Sequence, residues 1–221
     1  MRVVILGTGT DVGKTYATAC IARGLSERAS VLALKPIESG APPGVVGDAG
    51  TIATAAGHAA RLSPWRFPSP VSPHLAAREQ GATLDVASVA AWVAAQEAVA
   101  QPSISLVELA GGVFSPLGLG VTNEDLALAL EPAVWLLVAP DALGVLHDVT
   151  ATLRAMRRAP DALLLSGARN TDQSTGSNAA ELSRLGIAEV LEVLAAGATS
   201  CSAAVEWLLR NRDYKSGIQS Q

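Results

Sequence analysis

Short, continuous apolar runs recur along the chain at Val3–Leu6, Val31–Leu34, Ile104–Leu109, Val134–Val138, Leu163–Leu165 and Val190–Leu194. Each is apolar at successive positions, which is the pattern of a strand buried on both faces. Longer alanine-rich stretches of helical patterning lie between them: Lys14–Arg28, Ala49–Gly57, Val86–Ala100, Glu124–Leu130, Val145–Arg158, Ser177–Leu185 and Ala203–Leu209. This alternation predicts an α/β fold, a parallel β-sheet flanked by helices on both faces. Its crossovers should be right-handed, and ligands should sit beyond the carboxyl ends of the strands.

Two stretches break the pattern. Residues 39–48 hold glycines and prolines and read as a loop; residues 63–73 carry four prolines and read as a rigid loop over the site. The chain of 221 residues suits one domain, drawn over residues 1–210, with a polar, frayed tail over 211–221. A hydrophobic content of 49% against 16% charged residues excludes a disordered chain. The net charge of −4 without a basic stripe argues against nucleic acid as a partner. No apolar run is long enough to span a membrane, and the N-terminal run is too short for a signal peptide. Cys20 and Cys201 form no pattern, which suits a reduced, cytoplasmic protein.

The first apolar run leads into Gly7-Thr8-Gly9-Thr10-Asp11-Val12-Gly13-Lys14-Thr15, and a helical stretch follows. Strand, glycine-rich loop and helix make a phosphate cradle: glycines let backbone N–H groups face an anion, and the helix start adds its positive end. Lys14 would reach the β- and γ-phosphates, and Thr15 would offer its hydroxyl to Mg²⁺. Thr8 stands where the usual loop has its first glycine, with Gly7 and Gly9 on either side. Lysine usage supports the reading. Against 13 arginines the chain has three lysines, and two of them, Lys14 and Lys35, fall near predicted strand ends. A compact ammonium serves a transferring phosphoryl group where a planar guanidinium does not.

Three further features gather at strand ends: Lys35-Pro36-Ile37-Glu38-Ser39-Gly40, Asp48, and Glu108-Leu109-Ala110-Gly111-Gly112. Each has a plain alternative: Lys35 as a strand-end charge, Asp48 as a helix N-cap, Glu108 as a carboxylate with a structural partner. Together with the loop they gain meaning, because Mg²⁺ on a nucleotide takes a hydroxyl and one or two carboxylates. Thr15, Asp48 and Glu108 supply that set.

With Ser72-Pro73-His74 and Leu143-Gly144-Val145-Leu146-His147, these motifs run in an order and spacing that resemble the dethiobiotin synthetase family over about residues 2–150. The resemblance implies a single-domain P-loop NTPase-like fold and a Mg²⁺- and ATP-dependent ligase. Such an enzyme converts 7,8-diaminononanoate and CO₂ (or bicarbonate) to dethiobiotin, through a carbamate and a carbamic–phosphoric anhydride. It implies Lys35, Lys14 and Thr10 as catalytic residues, with Thr10, Lys35 and Ser39 holding the diamine or its carbamate. Nucleotide contacts fall on Asp11, Val12, Gly13, Lys14, Thr15, Tyr16, Asp48, Glu108, Leu109, Ala110, Gly111, Arg169, Asn170, Leu194, Ala195 and Ala196. The substrate carboxylate would dock at the helix start Gly144-Val145-Leu146 of a second subunit, which makes the expected assembly a homodimer.

The chain departs from the family pattern in places. Asp11 replaces a frequent glutamate, Leu109 replaces a glycine, Asn170 falls one position late, and Leu194-Ala195-Ala196 lacks the usual proline. Two other classes share the cradle. An amide-forming ligase of the cobyrinic acid diamide type would carry a glutaminase domain, for which this length leaves no room. A switch ATPase of the partition type has a lysine five positions before the Gly-Lys-Thr lysine, where this chain has Gly9.

Overall fold

The computed structural model describes residues 1–167 and 171–218, with side chains as far as residue 212. In chain order the elements are β1 (Arg2–Gly7), α1 (Lys14–Ser26), β2 (Val31–Leu34), β3 (Ile37–Ser39), α2 (Gly47–Ala55), β4 (Trp65–Phe67), α3 (Pro73–Glu79), α4 (Val86–Ala100) and β5 (Ile104–Glu108). They continue as β6 (Pro116–Gly118), β7 (Val121–Thr122), α5 (Asn123–Ala129), β8 (Val134–Asp141), α6 (Val145–Ala155), β9 (Ala162–Gly167), α7 (Asn178–Arg184), β10 (Val190–Leu194) and α8 (Ser202–Ile218).

Six strands form one parallel sheet in the order β10-β9-β8-β1-β5-β2. The order explains the site's place. From β1 the chain first builds outward to β2 and β5, then returns to lay β8, β9 and β10 on the other side. The strand order thus reverses beside β1, and a crevice opens beyond its carboxyl end.

Alternation along β1 divides the core. Val3 and Ile5 face one layer, with Ile21 and Leu25 of α1 and Val205 and Leu208 of α8. Val4 and Leu6 face the other, with Val89 of α4, Leu126 of α5 and Val149 of α6. Each fully buried aliphatic side chain contributes about 1.5–3 kcal/mol, so helices on both faces are needed to use both sets.

The six apolar runs all become strands, five of them within two residues of their expected ends, while β8 runs three residues past Val138 to Asp141. The shorter elements differ. The proline-rich stretch contains β4, which pairs in parallel with β3. Pro64 and Pro68 flank the three paired residues and so leave the ladder its donors. Ser63 Oγ donates to Pro36 O at 2.6 Å, and Gly40 N donates to Ser69 O at 2.9 Å. The stretch is therefore stitched to the Lys35–Gly40 segment. Helix α3 follows it with Pro73 in its first turn, and β6 and β7 form a short hairpin.

Helix α6 ends at Ala155, three residues before the expected Arg158. Arg157 is drawn to Glu124 by its backbone N–H (2.6 Å) and Nε (2.8 Å), and Arg158 stacks 4.5 Å over the Trp135 ring. Both contacts take the chain out of helical geometry. Helix α8 extends past the expected Leu209 and runs over residues assigned from sequence to the tail.

Candidate active site

The loop between β1 and α1 is shaped by close approaches. Gly13 takes φ of 90° at the N-cap of α1, and a side chain there would overlap the Ser166 hydroxyl. Asp11 is also left-handed, at φ of 58°. Aspartate tolerates that conformation better than most residues, which is a backbone reason for a short acid at this position. Thr8 N donates to Val138 O at 3.0 Å and Val113 N donates to Gly7 O at 2.9 Å, so β8 on one side and the turn after β5 on the other hold the loop. Lys14 lies back along it and donates from Nζ to Gly9 O at 2.8 Å.

Next to the loop, side chains from four segments meet. Lys35, just after β2, and Glu108, at the end of β5, are both buried. Lys35 Nζ lies 2.5 Å from Glu108 Oε1 and 3.2 Å from Asp48 Oδ2. Thr15 Oγ1 donates to the same Glu108 Oε1 at 2.7 Å. The other oxygen, Glu108 Oε2, is buried without a hydrogen-bond partner. A bare carboxylate oxygen in the interior is costly unless a ligand completes it.

The two lysines respond to this setting in opposite ways. Burial lowers the Lys14 pKa, the neighbouring Lys35 charge lowers it further, and together they outweigh the acidic groups to bring it to about 8. Burial also works against the Lys35 cation, but the Glu108 and Asp48 carboxylates overcome it and push its pKa up. Lys35 is thus a fixed cation beside Glu108, and Lys14 is a cation that lacks a carboxylate of its own.

Asp48 is not the cap of its helix. Val46 is the N-cap of α2, and Asp48 lies in the first turn with its carboxylate on Lys35. The Asp48 N–H is instead satisfied by Glu38 Oε1 at 2.6 Å. Glu38 Oε2 accepts from Arg66 Nε of β4 at 2.9 Å, and Arg66 Nη2 donates to Val45 O at 2.7 Å. A strut from β3 and β4 therefore sets the start of α2 and, with it, Asp48. Across the cleft, Asn123 Nδ2 donates to the Ala110 and Gly112 carbonyls and pins the turn after β5.

These residues line a cleft of about 500 Å³. Of the positions expected from sequence, its wall contains Thr10, Asp11, Val12, Gly13, Lys14, Thr15, Tyr16, Lys35, Ser39, Asp48, Glu108, Ala110, Gly111 and Ala196. Leu109 and Leu194 are not on it: both are buried in the core, because the strand pleat turns them inward. Leu109 is therefore accommodated without a glycine's freedom. Ala195 is also off the wall; its carbonyl accepts from Tyr16 Oη at 2.7 Å. Gly144, Val145 and Leu146 lie away from this cleft, at the start of α6, where Gly144 caps the helix at φ of 98°. Arg169 and Asn170 lie outside the described residues.

Sequence reasoning missed Glu38, Pro140, Ser166, Gly167 and Gly197, which also line the cleft. Pro140, Ser166 and Gly167 stand at the ends of β8 and β9, so the rule that ligands gather at strand ends could have found them. Arg66 and Asn123 carried no such signal.

A six-stranded parallel sheet with a glycine-rich loop opening its first helix defines a P-loop NTPase fold. A ParA family ATPase from Chlorobium tepidum has the same architecture, with a TM-score of 0.54 at 12% identity over 94% of this chain and 98% of its own. Chloroplast FtsY from Physcomitrella patens matches with a TM-score of 0.54 at 15% identity, over 87% of this chain and 57% of its own. These likenesses concern the fold alone. A family profile described as AAA domain matches residues 1–208. An ATP-dependent dethiobiotin synthetase of Streptomyces coelicolor is 35% identical over 218 residues, covering 93% of this chain and 91% of that protein. One from Caulobacter sp. (strain K31) is 38% identical over 161 residues, 70% of each chain. The chain belongs to the dethiobiotin synthetase family.

Proposed function

We propose that this protein closes the cyclic urea of dethiobiotin from 7,8-diaminononanoate, CO₂ and ATP, as a ligase acting in the cytoplasm. The observation that carries this reading is the pairing of Lys14 and Lys35 in one cleft, each next to a different part of it. A nucleotide cradle requires Lys14 alone. A second cation, fixed by Glu108 and Asp48, suits a second anion that must meet the γ-phosphate.

The chemistry balances in three steps. One substrate amine adds to CO₂ and loses a proton, giving a carbamate. A carbamate oxygen attacks the γ-phosphorus, the bond to the β-phosphate oxygen breaks, and ADP leaves. The second amine then attacks the carbamoyl carbon, phosphate departs, and the amine's proton goes to solvent. Lys35 would hold the carbamate anion against the phosphate, and Lys14 would offset charge on the oxygens in transfer. Thr10 and Ser39 would orient the diamine by hydrogen bonds. Phosphoryl transfer needs positioning and charge more than covalent help.

Mg²⁺ fits the donor set. Thr15 Oγ1, Asp48 and Glu108 are oxygen donors suited to a hard cation, and the bare Glu108 Oε2 is an acceptor still to be met. When bound, Mg²⁺ would neutralise phosphate charge. The far carboxylate of the diamine would bind the N–H groups at Gly144, Val145 and Leu146 of a second subunit, so each site would be completed in a homodimer.

The test is to mix the protein with ATP, Mg²⁺, bicarbonate and the diamine and look for the cyclic urea by mass spectrometry. Product dependent on all four supports the reading; ATP hydrolysis indifferent to the diamine contradicts it.

A further inference from the structure

Three side chains on one stripe of α1 point at one loop. Tyr16, Cys20 and Arg23 stand at i, i+4 and i+7, so they share a helix face. Tyr16 Oη lies 2.7 Å from Ala195 O and 2.8 Å from Ala198 O. A phenol has one proton, so it serves these two carbonyls in turn. Cys20 Sγ donates to Ala198 O at 3.2 Å, and Arg23 Nη1 donates to Thr199 O at 2.8 Å. Every donor is from the helix and every acceptor is a carbonyl of the segment after β10.

We propose that this stripe laces the 195–199 loop to α1 and so fixes the distance between the phosphate loop and the cleft wall formed by Ala196 and Gly197. The inference rests on the reading of the cleft as a nucleotide site and makes Tyr16, Cys20 and Arg23 positioning residues.

The rest of the loop's setting supports a fixed wall. Ala196 and Gly197 line the same cleft as Gly13, Lys14 and Thr15. Ala198 N donates to Ala195 O at 3.1 Å and closes the turn. A side chain at Gly167 would overlap the Ala196 N–H, so the ends of β9 and β10 meet backbone to backbone. Next to Arg23, a side chain at Gly24 would come within 2.8 Å of Val205, so α1 and α8 are in direct contact one turn past Cys20. Burial raises the Tyr16 and Cys20 pKa values, which keeps both groups protonated as donors at neutral pH.

One helix thus starts at the triphosphate and carries, on its first three turns, the ties that place the opposite wall. No separate closure of that wall is needed when a nucleotide binds, and its ordering is done in advance.

Calorimetry with two ligands tests this. Inorganic tripolyphosphate reaches the phosphate loop alone, and ATP reaches both ends of the cleft. Cys20→Ala removes the thiol donor and Arg23→Met removes the guanidinium donor, and neither side chain lines the cleft. Each should weaken ATP binding about 3- to 10-fold, the loss of one hydrogen bond, and leave tripolyphosphate affinity unchanged. Equal losses for both ligands, or unchanged ATP affinity in either variant, would overturn the lace. Cyclic-urea formation by the unaltered protein separates the two proposals. Binding data as described but no product would contradict the reaction and leave the lace standing.

Discussion

Lys35 and Glu108 depend on each other. Lys35→Ala would leave a buried carboxylate without its cation, a loss of about 3–5 kcal/mol of stability, and would remove the cation proposed to hold the carbamate. Two effects would then be confounded. Lys35→Met combined with Glu108→Gln removes both charges, so it should unfold in denaturant closer to the unaltered protein than Lys35→Ala does, while turnover stays at least about 100-fold down. Recovery of activity with stability would return Lys35 to a structural role. Lys14 makes a pH prediction. Its pKa of about 8 in the free protein must rise when the triphosphate arrives, because the anion favours the charged form. Binding therefore takes up a proton above pH 8, and ATP affinity should fall as pH rises through that value, by up to about tenfold per unit. Calorimetry in buffers of different ionisation enthalpy reads the proton directly, and the same burial acts on folding. Below pH 8 the buried cation opposes folding, and that penalty is relieved as pH rises from about 8 towards 10.5, the ordinary value for lysine.

Among the elements, β3, β4 and α2 carry the least obvious device. The Glu38–Arg66 strut holds the first turn of α2, and Asp48 rides on it. Glu38→Ala should raise the Mg²⁺ concentration needed for half-maximal turnover by about tenfold or more, the usual effect of losing a partner that orients a metal ligand. A Mg²⁺ titration of turnover checks it, and an unchanged midpoint would mean that Asp48 holds its place unaided. This device also shows where legibility ended. The sheet strands were plain in the sequence because burial on both faces demands unbroken apolar runs. Gly7–Thr15 was plain because each of its residues has a backbone or charge reason. Strand β4 was not, since three paired residues between prolines have no period to detect. Arg66 and Asn123 act through carbonyls and a carboxylate distant in sequence, and nothing local in the chain distinguishes them from surface polar residues. Asp48 shows a third kind of gap: position alone suggested a cap, whereas the structure puts Val46 at the cap and the Asp48 carboxylate on Lys35.

For the whole molecule, the sheet order puts Lys35, Glu108 and the phosphate loop on one edge of the fold and leaves the α6 start away from their cleft. No helix among the described residues is long and apolar enough to cross a membrane. If the α6 start completes the site of a second copy, defects in the two regions should complement. Gly144→Val is strained at φ of 98°, and Lys35→Met combined with Glu108→Gln lacks the cation proposed for the carbamate without leaving a bare buried charge, so each alone should be inactive. Unfolded together and refolded as a mixture, half of the dimers would be mixed and each would hold one intact site, returning about a quarter of the full activity. No recovery would place both regions in one subunit's site.

The central claim is that the cleft phosphorylates a carbamate, and oxygen transfer tests it most directly. A single turnover started with C¹⁸O₂ in unlabelled water, quenched before CO₂ exchanges with solvent, should release phosphate carrying one ¹⁸O. The carbamate oxygen that attacks the γ-phosphorus stays with it when the ring closes. Phosphate without the label, formed alongside dethiobiotin, would mean that the γ-phosphate went to water or to another group, and the account would be wrong.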